Sequence, residues 1–160
     1  MVISSNQENS TEGIVLIVDD QPESIDIIKS ALDSYFITKI ATRGEVALKI
    51  AQSGNVDLIL LDVMMPGMDG YAVCRKLKRN PVTQDIPIIF QTSKNSYEDE
   101  AIGLELGAVD FIRKPSSPMV ILTRSRNTIA YHRAKKELHQ KNNELKEKNR
   151  ELQRLNPTVA

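Results

Sequence analysis

Apolar residues along this chain fall into two alternating patterns. Short runs rich in β-branched and aliphatic residues occur at Ile14–Val18, Phe36–Ile40, Asp57–Leu61, Pro87–Gln91 and Val109–Ile112. Continuous runs of this length suit strands buried on both faces. Between them lie amphipathic segments of helical length. Ile25, Ile28 and Leu32 share one face of the first, and Val46, Ala47 and Ile50 a face of the second. Val73 with Leu77, then Ile102 with Leu106, mark the third and fourth. Strands that alternate with helices at short spacing imply right-handed crossovers and a parallel sheet covered on both faces. The expected fold is therefore α/β, a doubly wound five-stranded parallel sheet. A last helix is expected from about Pro118 to about Leu155, since no Gly or Pro falls between Met119 and Asn156. The expected organisation is a disordered polar arm over 1–13, a globular body over 14–133, a helical extension over 134–156 and a short tail over 157–160.

Composition narrows the class. With 41% hydrophobic and 26% charged residues in 160, the chain reads as a soluble globular domain with some chain left over. One cysteine, Cys74, excludes an intramolecular disulfide. No apolar run approaches the roughly 18–20 residues of a membrane span, and the N-terminus lacks the basic and apolar regions of a secretory signal. A cytoplasmic protein without membrane contact is expected. The formal net charge of +0 hides a division. Residues 1–123 carry 11 Lys+Arg against 17 Asp+Glu, whereas residues 124–154 carry 10 against 4. An acidic body thus bears a basic helix.

Candidate chemistry sits where the strands end. The first strand runs into Asp19 and Asp20, the third into Asp62, the fourth into Thr92 and Ser93, and the fifth into Lys114 and Pro115. Doubly wound sheets bind ligands at the carboxyl ends of their strands. Three carboxylates on one rim repel each other unless a cation sits among them, and an all-oxygen set of this kind suits Mg²⁺. An ammonium and a hydroxyl beside them make a cradle for a phosphoryl group, with one carboxylate able to act as nucleophile. Taken alone, Asp19 and Asp20 read as a capping pair ahead of Pro22, and in concert with Asp62 and Lys114 they read as a site. Pro66 to Gly70 reads as a turn, a structural loop that also shapes the site. No glycine-rich phosphate loop is present, which argues against a nucleotide enzyme.

The segments IVDD at 17–20, DLILLDVMMPGMDG at 57–70, PIIFQTS at 87–93 and GAVDFIRKP at 107–115 together resemble the receiver domain of bacterial two-component response regulators. The resemblance spans roughly residues 13–133 and implies the flavodoxin-like strand order 2-1-3-4-5, which the family's chemotaxis regulator exemplifies. It implies that Asp62 accepts a phosphoryl group from a sensor histidine kinase or phosphotransfer protein. It further implies that Asp20 and Asp62 ligate Mg²⁺ directly, Asp19 through water, and Met64 through its backbone carbonyl. Lys114 and Thr92 would contact the phosphoryl oxygens, Phe111 would move with Thr92, and the bond before Pro115 would be cis. Phe111 lacks the hydroxyl of the tyrosine found in many members, and Met64 presents an apolar side chain over the site. Such a protein is a phosphorylation-controlled switch and not itself an enzyme. The rival readings are a pseudo-receiver that ignores phosphate and acts as a coiled-coil module, and a Mg²⁺-dependent phosphohydrolase. The second lacks an acid two residues after Asp62.

The last helix carries a repeat of seven. Leu138, Leu145 and Leu152 fall at d and Asn142 and Asn149, with Asn156, at a. Asparagine at a favours a parallel two-stranded register, so a homodimer through this helix is expected. A single solvated helix laced by Glu137–Lys141 and Glu144–Lys148 pairs is the alternative. Glu and Leu interrupt the basic run, so direct nucleic-acid binding is not expected. The chain ends after Asn156 to Ala160 without an output domain. Either such a domain follows in a longer protein, or the helix is itself the output.

Overall fold

A computed structural model describes residues 11–93 and 97–156. The elements run β1 (Ile14–Val18), α1 (Pro22–Leu32), β2 (Ile37–Ala41), α2 (Gly44–Gln52), β3 (Leu58–Leu61), α3 (Gly70–Arg79), β4 (Ile88–Thr92), α4 (Tyr97–Glu105), β5 (Asp110–Arg113) and α5 (Pro118–Leu155). The strands form one sheet in the order β2-β1-β3-β4-β5, every pair parallel. This is the expected doubly wound arrangement.

Alternation of side chains divides the core into two layers. Val15, Ile17, Leu58, Leu60, Ile89 and Ile112 point to the side covered by Ile25 and Ile28 of α1 and Ile121 and Ile129 of α5. Leu16, Val18, Ile59, Leu61, Ile88, Phe90 and Phe111 point to the other side, against Ala47 of α2 and Val73, Cys74 and Leu77 of α3. The central strands β1, β3 and β4 are buried almost throughout. Each buried aliphatic side chain contributes about 1.5–3 kcal/mol. Cys74 lies in this packing, where burial raises its thiol pKa.

Three local differences from expectation have physical reasons. Phe36 is buried, but its N–H donates to Leu32 O at 2.9 Å, so it closes α1 and β2 begins one residue later. In α4 the core-facing residue is Gly103, while Ile102 is 42% exposed. A Cβ on Gly103 would lie 2.9 Å from the Phe90 ring, so the missing side chain is what lets α4 approach the sheet. Of the polar arm expected over 1–13, residues 11–13 are described. Glu12 N–H donates to Tyr35 O at 2.7 Å, and its carboxylate pairs with Arg126 at 2.6 Å. Residues 1–10 and the expected tail over 157–160 lie outside the described residues.

Helix α5 begins at Ser117, whose side chain caps Val120 N at 3.2 Å, with Pro118 in the first turn. It buries Ile121, Ser125 and Ile129 against the body. Beyond His132 every described residue of the helix is exposed. Asp57 fastens the start of β1 by accepting from Ile14 N at 2.8 Å and pairs with Arg133 at 3.5 Å.

Candidate functional site

The register of the sheet brings the strand ends together. Val18 stands beside Leu61, Leu61 beside Phe90 and Thr92 beside Arg113, so the residues that follow β1, β3 and β5 share one rim. Asp19, Asp20 and Asp62 each offer a carboxylate oxygen to a cluster whose ligand atoms all lie within 4.8 Å of one another. The backbone supports this placement. Asp62 N–H donates to Val18 O at 2.9 Å, and Asp19 Oδ1 accepts from Gln21 N at 2.9 Å. Asp19 therefore shapes the turn into α1, although the N-cap is Gln21 and has no side-chain cap bond. The capping and site readings of Asp19 are compatible, since its second oxygen faces the cluster.

Lys114 supplies the positive charge. Its Nζ lies 2.5 Å from Asp19 Oδ2 and 3.4 Å from Asp62 Oδ2, and only 14% of its side chain is exposed. The Lys114–Pro115 peptide bond is cis, and Lys114 N–H donates to Thr92 O at 2.9 Å, tying β5 to the end of β4. Burial pushes the Asp62 carboxyl above its ordinary pKa. The Lys114 ammonium opposes that shift, the Asp19 charge adds to it, and the Met64 N–H, 3.2 Å from Asp62 Oδ1, lowers it. One ammonium thus serves three crowded carboxyl groups, which leaves the site short of positive charge.

A divalent cation fits that deficit. Asp20 Oδ1 is buried and has no hydrogen-bond partner among the described residues. An unpartnered carboxylate oxygen is costly unless something cationic meets it. Oxygen-only donors match Mg²⁺ better than a softer metal. Met64 is 55% exposed at the mouth, its Sδ 3.9 Å from Ser93 Oγ. Thr92 is wholly buried at the end of β4. Phe111 is buried on the same side of the sheet, its ring 6.2 Å from that of Phe90, which in turn meets Tyr71 edge-on at 5.5 Å. All of Asp19, Asp20, Asp62, Met64, Thr92, Lys114 and Pro115 accordingly sit on or beside one rim. Leu138, Asn142, Leu145, Asn149 and Leu152 stand far along α5, exposed.

Gly70 is a positioning residue that composition alone presents only as part of a turn. A Cβ there would fall 2.2 Å from Asp62 O and 2.8 Å from Val63 Cα. Its N–H donates to Val63 O at 2.9 Å, and Asp69 caps α3 by accepting from Ala72 N at 2.8 Å. The helix start can close on the end of β3 only because no side chain intervenes. Spacing offered one signal: Gly70 follows a capping Asp directly ahead of an amphipathic helix.

Comparison with known proteins agrees with this geometry. The family model described as the response regulator receiver domain matches residues 15–126. A probable cyclic di-GMP phosphodiesterase of Vibrio cholerae is 42% identical over 130 residues, covering 81% of this chain and 30% of that protein. The response regulator PleD of Caulobacter vibrioides is 39% identical over 127 residues, covering 79% of this chain and 28% of that protein. The chain thus spans under a third of the length of these two relatives. Among solved structures, a putative response regulator from Chloroflexus aurantiacus superposes with a TM-score of 0.70 at 30% identity, covering 74% of this chain and 98% of that one. The chemotaxis response regulator CheY4 of Vibrio cholerae gives a TM-score of 0.69 at 28% identity, with coverages of 74% and 99%. By sequence and by fold, the chain belongs to the response regulator receiver domains of two-component systems.

Proposed function

We propose that Asp62 takes a phosphoryl group from the phosphohistidine of a sensor kinase or phosphotransfer protein in a Mg²⁺-dependent step, and that α5 carries the signal out of the domain. The observation that carries this reading is the clustering of buried Asp19 and Asp62 and half-buried Asp20 on one rim, with Lys114 against the first two. An Asp62 carboxylate oxygen attacks phosphorus, forming an O–P bond as the P–N bond to the histidine breaks. Asp19, Asp20, Asp62 and the Met64 carbonyl would hold Mg²⁺, which when bound supplies positive charge to the transferring oxygens. Lys114 exchanges its contact with Asp62 for one with a phosphoryl oxygen. Thr92 donates its hydroxyl to another, and Phe111 follows it within the apolar layer.

The receiver occupies residues 14–133 in this reading, and residues 134–156 form an extension that pairs in parallel with a second copy in the cytoplasm. Leu138, Leu145 and Leu152, 59–66% exposed on one helix, support that pairing. An output domain beyond α5 fits the short share of the relatives that the chain covers. The test is intact mass after incubation with acetyl phosphate, with and without Mg²⁺, for wild type and Asp62→Ala. A gain of about 80 Da that requires both Mg²⁺ and Asp62 is expected. An adduct that persists in Asp62→Ala would move the acceptor elsewhere. Absence of any adduct, with phosphohistidine donor as well as acetyl phosphate, would favour a phosphate-independent module.

A further inference from the structure

The charges that border the leucine stripe of α5 do not suit tight self-association. With Leu138, Leu145 and Leu152 at d, the g positions are Lys141 and Lys148, and the intervening e position is Lys146. The glutamates Glu137, Glu144 and Glu151 all fall at c, further from the seam. Among the described residues no ion pair joins Lys141, Lys146 or Lys148 to an acid. In a parallel pair each g residue faces the e residue five positions on in the partner helix, so Lys141 meets the second copy's Lys146 twice per dimer. Like charges at such sites oppose pairing.

The a positions nonetheless favour a second copy of this chain as the occupant. Asn142 and Asn149 lie at successive a positions, where they meet themselves across a parallel in-register seam and satisfy one another's amides. An unlike helix with apolar residues at a would leave those amides buried and unpaired. Tyr131, 63% exposed, also falls at d seven residues before Leu138, with Lys135 at the a position between them. Leu138 follows Ile129 by nine residues, half a turn out of phase, so the seam faces away from the side of α5 that packs on the body. Two bodies can therefore flank a central pair of helices without collision.

We propose that α5 pairs with a second copy along Tyr131, Leu138, Leu145 and Leu152, and that the Lys141–Lys146 contact across the seam keeps this pairing weak and makes it strengthen with ionic strength. This rests on the reading of α5 as a parallel paired helix. The lysine collar makes pairing conditional, so that it is governed by what the two bodies, or domains beyond them, contribute.

Sedimentation equilibrium of the full chain, in NaCl from about 0.02 M to about 0.5 M, tests this across the range in which the Debye length falls from tens of ångströms to a few. Wild-type dimer is expected to tighten as salt rises. Lys146→Glu converts both contacts to attractive ones, so its dimer should be about fivefold tighter than wild type at low salt and should loosen as salt rises. A wild-type dimer that loosens with salt, or a Lys146→Glu dimer no tighter than wild type, would overturn the role of the collar while leaving the paired helix standing. Wild type and Lys146→Glu that both stay monomeric at the top of the concentration series would overturn the pairing itself. In Leu145→Asp, which alters only the exposed part of α5, the body should stay folded and the dimer should be lost. A dimer that survives this substitution would place the contact on another surface.

Discussion

The acid pocket and the far half of α5 are opposite solutions to placing charge. In the pocket, three carboxyl groups and one ammonium are held by the ends of three strands, Asp19 and Asp62 buried and Asp20 and Lys114 partly so. Their positions are fixed by apolar packing beneath them, and each charge feels its neighbours strongly because little solvent intervenes. Along α5 beyond Arg133, charges are dense and solvated, and local helix propensity holds the backbone. A change in the pocket's supports should therefore propagate to stability and chemistry together. A change on the distal helix should alter association and leave the body intact.

The largest contrast comes from truncating leucines. Leu60, 1% exposed in the central strand β3, should cost about 3 kcal/mol on conversion to Ala. The same change at Leu152, 63% exposed, should cost under about 0.5 kcal/mol in the unfolding of the body. Urea denaturation of both variants, followed by a signal from the body, checks the difference. Equal losses would mean that the distal helix is part of the cooperative unit.

Gly70→Ala comes next, because its new Cβ meets backbone atoms of Asp62 and Val63 that cannot step aside without moving the site. A loss of about 2 kcal/mol is expected, together with weaker Mg²⁺ binding by isothermal titration. A stable variant with unchanged Mg²⁺ affinity would detach the α3 start from the pocket.

Asp62→Asn sharpens the comparison with the opposite sign. Burial raises the Asp62 pKa in the folded protein, so its ionised form is less favourable there than in the unfolded chain. That unfavourable contribution is absent below the unfolded pKa of about 4 and develops as pH rises through the folded value. Without metal at neutral pH, Asp62→Asn should therefore be more stable than wild type, by about 1 kcal/mol. The advantage should fade as the pH is lowered towards 4. Thermal melts across pH, run in chelator, would expose an advantage that stays constant instead. A local effect is expected at Asp69, which caps α3: Asp69→Ala should cost about 1 kcal/mol without changing phosphoryl acceptance.

The sheet was readable in the chain because parallel strands buried on both faces leave unbroken aliphatic runs, and the site because its residues follow those runs directly. Gly103 shows where such reading stops. Apolar spacing pointed to Ile102 on the core face of α4, but what decides that face is a close approach to Phe90, a residue of another strand. The Glu12–Arg126 pair and the stacking of Arg126 on Tyr35, 4.8 Å from the ring centroid, join parts of the chain with no local pattern between them. Gly70 was visible as part of a loop that shapes the site, but the close approach it permits was not, since the atoms it spares belong to β3 and the loop that follows. Heptad spacing in α5, by contrast, is wholly local and could be read without any knowledge of the fold.

The uninterrupted course of α5 gives it mechanical leverage. Its last contact with the body is the Arg133–Asp57 pair, and 22 residues, from Ala134 to Leu155, continue the same helix. That overhang is a lever arm of about 33 Å. A rotation of only about 5° where the helix rests on the body swings its tip through about 3 Å, the width of a small side chain. No glycine or proline lies along the arm to absorb the bend. A partner packed at the tip would register a displacement of that size.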